Sequence, residues 1–198
     1  AALDEALAAV VAIVAAPGSE ILIETLARVM RRGAVAVAGH TYASHANAWR
    51  AAGHAVSITD HRFATPSLDV AVIVNPDNPT GRVVAPDRLA ALAGMRARTG
   101  GLLVVDEAFG DVTPEASLVP SLAGLSAVVL RSFGKFHGLG GLRLGFLIGP
   151  EPIAAEVARR LCDWVVCCPS PARGSRSSAA RRCFASPSTR TPRRSTRG

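Results

Sequence analysis

Lys135 is the only lysine in a chain of 198 residues whose other 21 fixed cations are all arginine. It follows the apolar run AVVLRS and precedes the glycine-rich GLGGLRLGF. A lysine amine can attack an aldehyde and form a Schiff base where its surroundings favour the neutral form; arginine stays protonated and cannot. A surface lysine is the commoner role, but glycines beside it permit close backbone approach and argue for a ligand. Asp106 closes the apolar run LLVVD, and Asn78 lies in NPDNPTG, directly after VAVIV. Each also has an ordinary reading as loop-capping or turn chemistry. Pro17-Gly18-Ser19-Glu20 opens a helical pattern. A helix start offers unpaired N–H groups and a favourable dipole to an anion, or is simply a capped end. Arg143 stands eight residues beyond Lys135 and by itself reads as a surface charge.

The elements that must position these groups alternate in period. Apolar runs at 34–39, 69–74, 102–106, 127–132 and 144–149, together with AVSIT at 55–59, read as strands. GSEILIETLARVMRR, with a cap expected at Ser19, SHANAWRAAGH, ended by Gly53, and PDRLAALAGMRARTG, opened by proline, read as helices. The first twenty residues read as the continuation of an alanine-rich helical pattern. Continuous apolar strands alternating with helices predict an α/β fold, a largely parallel sheet covered on both faces in three α/β/α layers. In such sheets ligands gather at the carboxyl ends of the strands. That rule singles out 75–81, 106–111 and 132–135. Trp49 is expected in the core. His40, His45, His54, His61 and His137 show no metal-ligand spacing, so no metal is expected, and His137 reads as a loop histidine.

Charge divides the chain. Residues 1–161 hold 14 basic and 14 acidic side chains, whereas 162–198 hold eight arginines against Asp163 and account for the whole net charge of +7. All four cysteines, Cys162, Cys167, Cys168 and Cys183, fall in that tail, two of them adjacent rather than spaced for zinc. The expected organisation is a domain over 1–161 lacking its natural amino terminus, followed by a basic Arg/Ser/Pro-rich tail at 162–198 that is disordered or arises from a reading-frame shift. A basic tail can bind nucleic acid, but the neutral body and the absence of interleaved aromatics argue against that function. No apolar run reaches the ~18 residues of a membrane span, and no secretory leader is evident, so a cytoplasmic location is expected.

Taken together, NPDNPTG, then VVDEAF, then SFGK with an arginine eight residues on resembles the fold-type I, pyridoxal phosphate (PLP)-dependent enzymes of the class I/II aminotransferase group, over residues 10–160. Within that group DEAFGD, LRSFGKFHGLGGLRLGF and TYASHANAWRAAGHAV look most like the threonine-phosphate decarboxylase branch of cobalamin biosynthesis, with histidinol-phosphate aminotransferases next. The resemblance implies PLP as cofactor and an amino acid, phosphorylated in the decarboxylase branch, as substrate. It implies catalytic roles for Lys135, which would hold the cofactor, and Asp106, which would pair with its ring nitrogen. Asn78 would bond the ring 3′-oxygen and Tyr42 would stack on its face. The backbone N–H groups of Gly18, Ser19 and Glu20, the Ser132 hydroxyl and the Arg143 guanidinium would cup the phosphate. A homodimer is implied for the intact parent, with neither nucleic acid nor membrane as partner. Three departures stand out. Phe109 replaces a frequent tyrosine, Gly134 replaces a frequent hydroxyl residue, and the arginine that would bind the substrate carboxylate is not recognisable. The alternatives to a decarboxylase are an aminotransferase of the histidinol-phosphate type and an inactive fragment of either.

Overall fold

Valine and isoleucine at 11–14 favour the extended chain, because β-branching restricts χ1 in a helix and packs well on a pleated surface. In the computed structural model, which describes residues 11–39, 41–60 and 68–161, Val11–Ala16 is accordingly the first strand, β1. The helical reading of this stretch is corrected on those residues; the ten before them, and the tail at 162–198, lie outside the described residues. The remaining elements follow in the expected alternation: helix α1 (Ser19–Val29), β2 (Ala34–Ala38), α2 (Ala43–Ala51), β3 (Ala55–Thr59), β4 (Val70–Val74), α3 (Pro86–Ala97), β5 (Leu102–Glu107), β6 (Ala127–Ser132), a single helical turn α4 (Phe133–Phe136), β7 (Gly145–Pro150) and α5 (Glu151–Leu161).

The seven strands form one sheet in the order β1-β7-β6-β5-β4-β2-β3. β2, β3, β4, β5 and β6 pair in parallel, and β7 runs antiparallel to both β6 and β1. Side chains alternate across the pleat. Val72, Val104, Val128 and Leu147 face α1, α2 and α5 through Leu22, Leu26, Trp49, Val157 and Leu161. Ile73, Leu103, Val105 and Val129 face the other way, onto Leu89 and Ala93 of α3 and onto Leu118 and Leu122. Both faces are therefore dry, and so the central strands read as unbroken apolar runs. Trp49 is buried as expected, with the His54 ring edge-on at 4.8 Å. His54 in turn bonds Ala27 O at 2.9 Å through Nε2 and accepts from the Gly33 N–H at 3.3 Å, which ties α2 to the α1–β2 turn.

The connections that matter leave the carboxyl ends of β4, β5 and β6. After β4 the chain enters NPDNPTG, and fully buried Asn75 holds this loop. Its Oδ1 accepts from the Val84 N–H at 2.8 Å, and its Nδ2 donates to Val84 O (3.1 Å) and Ala116 O (3.3 Å). Inside the loop the Gly81 N–H donates to Asp77 O at 2.7 Å, with Gly81 at φ 70°, a conformation glycine adopts without steric cost. Asn75→Ala strips a buried N–H and two carbonyls of their partners, and it should cost about 2–4 kcal/mol of stability. Asn75→Asp, which sets a carboxylate against the same two carbonyls, should cost at least as much; chemical denaturation of both variants checks this.

Candidate active site

The carboxyl ends of the strands meet at a cavity of about 290 Å³, at the lower end of the range for small-molecule sites. Its walls include every residue singled out from the sequence: Gly18, Ser19, Glu20, Tyr42, Asn78, Asp106, Ser132, Lys135 and Arg143. Phe109, Gly134, Gly140 and Leu144 complete much of the lining. Lys135 and Asp106 thus share one hollow on one side of the sheet.

One wall is built for an anion. Gly18 (φ 96°) is the N-cap of α1, Ser19 is the first helical residue rather than the cap expected, and no side chain caps the helix. The first N–H groups of a helix have no partner within it. The Gly18 N–H is already bonded to Ala16 O at 2.7 Å, so Gly18 brings room while Ser19 and Glu20 bring donors. A methyl group at Gly145 would lie 2.5 Å from the Ser19 nitrogen, so only glycine lets β7 run this close to the helix start. Arg143, two residues earlier, holds a left-handed backbone at φ 46°, unusual for a residue with a side chain. Its guanidinium lies on Gly18, where a Cβ would meet Nη2 at 3.1 Å. No carboxylate pairs with it among the described residues. A cation in a strained backbone, set over uncapped N–H groups without a protein anion, is a place for a phosphate or carboxylate.

The opposite wall carries a buried acid. Asp106 is 2% exposed; its Oδ1 accepts from the Ala108 N–H at 2.9 Å and its Oδ2 lies 2.8 Å from Nε2 of fully buried His45. A carboxylate only accepts, so Nε2 of His45 is the donor in this bond, and Nδ1 has no hydrogen-bond partner among the described residues. One donor per oxygen leaves further lone pairs for a donor in the cavity. Lys135, on the single turn α4, points its Nζ at the Phe109 ring, 5.7 Å from the centroid, within cation–π range. Asn78 lines the cavity, and its backbone carbonyl accepts the Thr41 hydroxyl at 3.3 Å. The Tyr42 hydroxyl donates to Glu20 Oε2 at 3.1 Å, so the Glu20 carboxylate is engaged with Tyr42. Within α4, a Cβ on Gly134 would meet the Gly140 Cα at 3.0 Å, a close approach that favours glycine at this position.

Comparison with known proteins decides the family. The sequence model for aminotransferase class I and II matches residues 4–181, most of the chain and some way into the basic tail. The chain belongs to the class I and II aminotransferase family. Among curated members, a threonine-phosphate decarboxylase of Pseudomonas aeruginosa is 47% identical over 152 residues, covering 75% of this chain and 46% of that one. A threonine-phosphate decarboxylase of a Sinorhizobium species is 43% identical over 157 residues, covering 78% and 47%. The chain therefore spans about half the length of these relatives. The crystal structure of L-threonine-O-3-phosphate decarboxylase from Porphyromonas gingivalis shares the fold, with a TM-score of 0.67 and 21% identity over 74% of this chain and 49% of that one. The mainly parallel α/β fold expected from the sequence is thus the fold of this family.

His45 is the site residue that the sequence did not disclose. No spacing marks it, because its partner is 61 positions away; the only clue is its place one turn after Tyr42, with Ala46 and Trp49 on the buried side of α2. His137 does not line the cavity and sits at the end of α4, a loop histidine as expected. His45→Ala leaves the buried Asp106 with a single donor and should cost about 2 kcal/mol. His45→Gln, which can place an N–H near the same oxygen, should recover part of that in the same denaturation experiment.

Proposed function

We propose that the chain is the cofactor-binding part of a PLP-dependent enzyme that acts on an amino acid, in its full-length form a threonine-phosphate decarboxylase converting L-threonine O-3-phosphate to aminopropanol phosphate. The observation that carries this reading is the convergence on one cavity of the sole lysine, a buried carboxylate and, over a helix start with no side-chain cap, an arginine without a carboxylate partner among the described residues. The 43–47% identity to threonine-phosphate decarboxylases supports the branch. Decarboxylation and transamination differ in which bond at the α-carbon breaks, and the groups that orient the substrate carboxylate make that choice. A homodimeric, cytoplasmic parent enzyme belongs to the same proposal. Among the described residues no helix is long and apolar enough to cross a membrane.

The residues present fit the cofactor. The anion wall of Ser19 and Glu20 N–H groups, the Ser132 hydroxyl and the Arg143 guanidinium matches a phosphate dianion. The Asp106 carboxylate matches a protonated ring nitrogen, the Asn78 amide the ring 3′-oxygen, and the Tyr42 ring a flat aromatic face. When bound, PLP supplies an electron sink for the charge left on the substrate α-carbon. The protein supplies the rest. Lys135 would provide the amine that holds the cofactor, and a base positioned to hold or deliver a proton. Asp106 would face the ring nitrogen as its hydrogen-bond acceptor, and His45 holds the Asp106 carboxylate in place from behind. Phe109 offers its ring face to the Lys135 Nζ without the hydroxyl a tyrosine would bring, which would leave the 3′-oxygen contact to Asn78.

Because the chain has one lysine, the reading has an unambiguous test. Addition of PLP should produce a near-visible absorbance band, and borohydride reduction should fix the cofactor on the peptide containing Lys135. A label confined to the amino-terminal amine would refute the proposal. Arg143→Met should weaken PLP binding about tenfold, the worth of one charge-assisted hydrogen bond, and should leave the binding of pyridoxal, which lacks the phosphate, nearly unchanged. On the full-length relative, release of CO2 from threonine phosphate in the absence of a 2-oxo acid separates the decarboxylase from an aminotransferase.

A further inference from the structure

A second polar system lies beside the cavity, and none of the roles above uses it. Arg131 stands opposite Glu107 in the β5–β6 register. Its Nη1 donates to Glu107 Oε2 at 2.8 Å, and its Nη2 reaches Asp111 Oδ1. Glu107 is 1% exposed and takes two further bonds, from the Ser117 hydroxyl (2.7 Å) and the Leu118 N–H (2.8 Å). Its buried charge is therefore fully matched. The turn at 108–112 passes directly against the guanidinium: a Cβ on Gly110 would lie 2.6 Å from Nη1. A side chain at 110 would push the guanidinium aside and press on the Glu107 Cβ, 3.0 Å from the same position.

That turn touches the lysine segment at two points. Phe109 meets Lys135 Nζ, and Asp111 Oδ2 lies 3.7 Å from His137 Nε2. His137 in turn stacks on Phe133 at 4.5 Å and meets Phe136 edge-on at 5.3 Å, so its ring is held by both ends of α4. An isolated helix of four residues has no stability of its own, and a lysine stem is flexible. Whatever fixes the amine must come from outside α4.

We propose that Arg131 is a positioning residue for Lys135: by forking between Glu107 and Asp111 it fixes the 108–112 turn, and that turn sets the lysine segment through Phe109 and His137. The amine's place relative to the cavity is then set from the neighbouring strands, by Arg131 and Glu107, neither of which lines it. The proposal rests on the PLP reading for its functional meaning, but the mechanical link stands on the contacts alone.

The test uses the full chain with Arg131→Met, Arg131→Lys and Gly110→Ala, and two readouts. The first is the rate at which PLP is trapped on Lys135 by borohydride, read by peptide mapping. The second is amide hydrogen exchange, compared between segments 108–118 and 133–143 and the central strands β2 and β4. In Arg131→Met and in Gly110→Ala, which displaces the guanidinium without removing a charge, trapping should slow roughly tenfold or more. Exchange should rise in both segments together while β2 and β4 stay protected. Arg131→Lys, able to hold Glu107 but not to fork to Asp111, should fall between these and the parent. Folded variants that trap PLP like the parent would overturn the proposal. So would faster exchange spread evenly over the whole sheet, since that marks a general stability role. Failure of the parent itself to trap PLP on Lys135 would overturn the cofactor reading instead, and the positioning link would then be judged by whether the two segments loosen together in the exchange experiment.

Discussion

A carboxylate buried at the carboxyl end of a central strand is the constraint around which this molecule is arranged. Taking Asp106 out of water costs several kcal/mol unless hydrogen bonds replace the lost hydration. The structure repays that cost locally, with the Ala108 N–H on one oxygen and His45 on the other. The second donor comes from α2, and α2 is held over β2 by Trp49 and by the His54 contacts to Ala27 and Gly33. The core on the α1–α2–α5 face is thus what keeps the acid supplied with its donor. Fold stability and site chemistry meet in that one ion–dipole contact.

The two walls of the cavity use opposite devices. At the acid wall, protein donors satisfy a protein charge. At the helix start the charge of Arg143 has no carboxylate partner among the described residues, and it is held in place by backbone strain and close packing. The left-handed φ of Arg143 and the near-contact of Gly145 with Ser19 are two aspects of one requirement: β7 must pass close enough to α1 for the guanidinium to lie over the helix end. Such unfavourable local geometry persists only where the surroundings over-determine it. Here β7 is clamped on both sides, between β1 and β6. The strand that departs from the parallel arrangement is the one that carries the arginine to the site.

Much of this was legible from residue types. Unbroken apolar runs marked the buried strands, because both faces of the sheet are covered. The segments directly after β4, β5 and β6 marked the cavity, because parallel strands all end on the same side. The strand at 11–16 differs from the helical expectation, since alanine-rich surroundings mimic a helical pattern when only three β-branched residues, Val11, Ile13 and Val14, stand among the alanines. The antiparallel sense of β7 was also not visible, because an apolar run carries no direction.

The sequence by itself determined the chemistry available: one amine, a carboxylate after an apolar strand, an asparagine in a proline turn, a helix start rich in small residues, and an arginine eight positions past the lysine. These are properties of residue type and short-range order, which the chain carries whether folded or not. Only the tertiary structure decided who supports them. His45 beneath Asp106, Arg131 between Glu107 and Asp111, and Gly145 against Ser19 join positions 20 to 126 residues apart. Contacts at that range are selected by strand order and packing, and no local spacing in the chain records them.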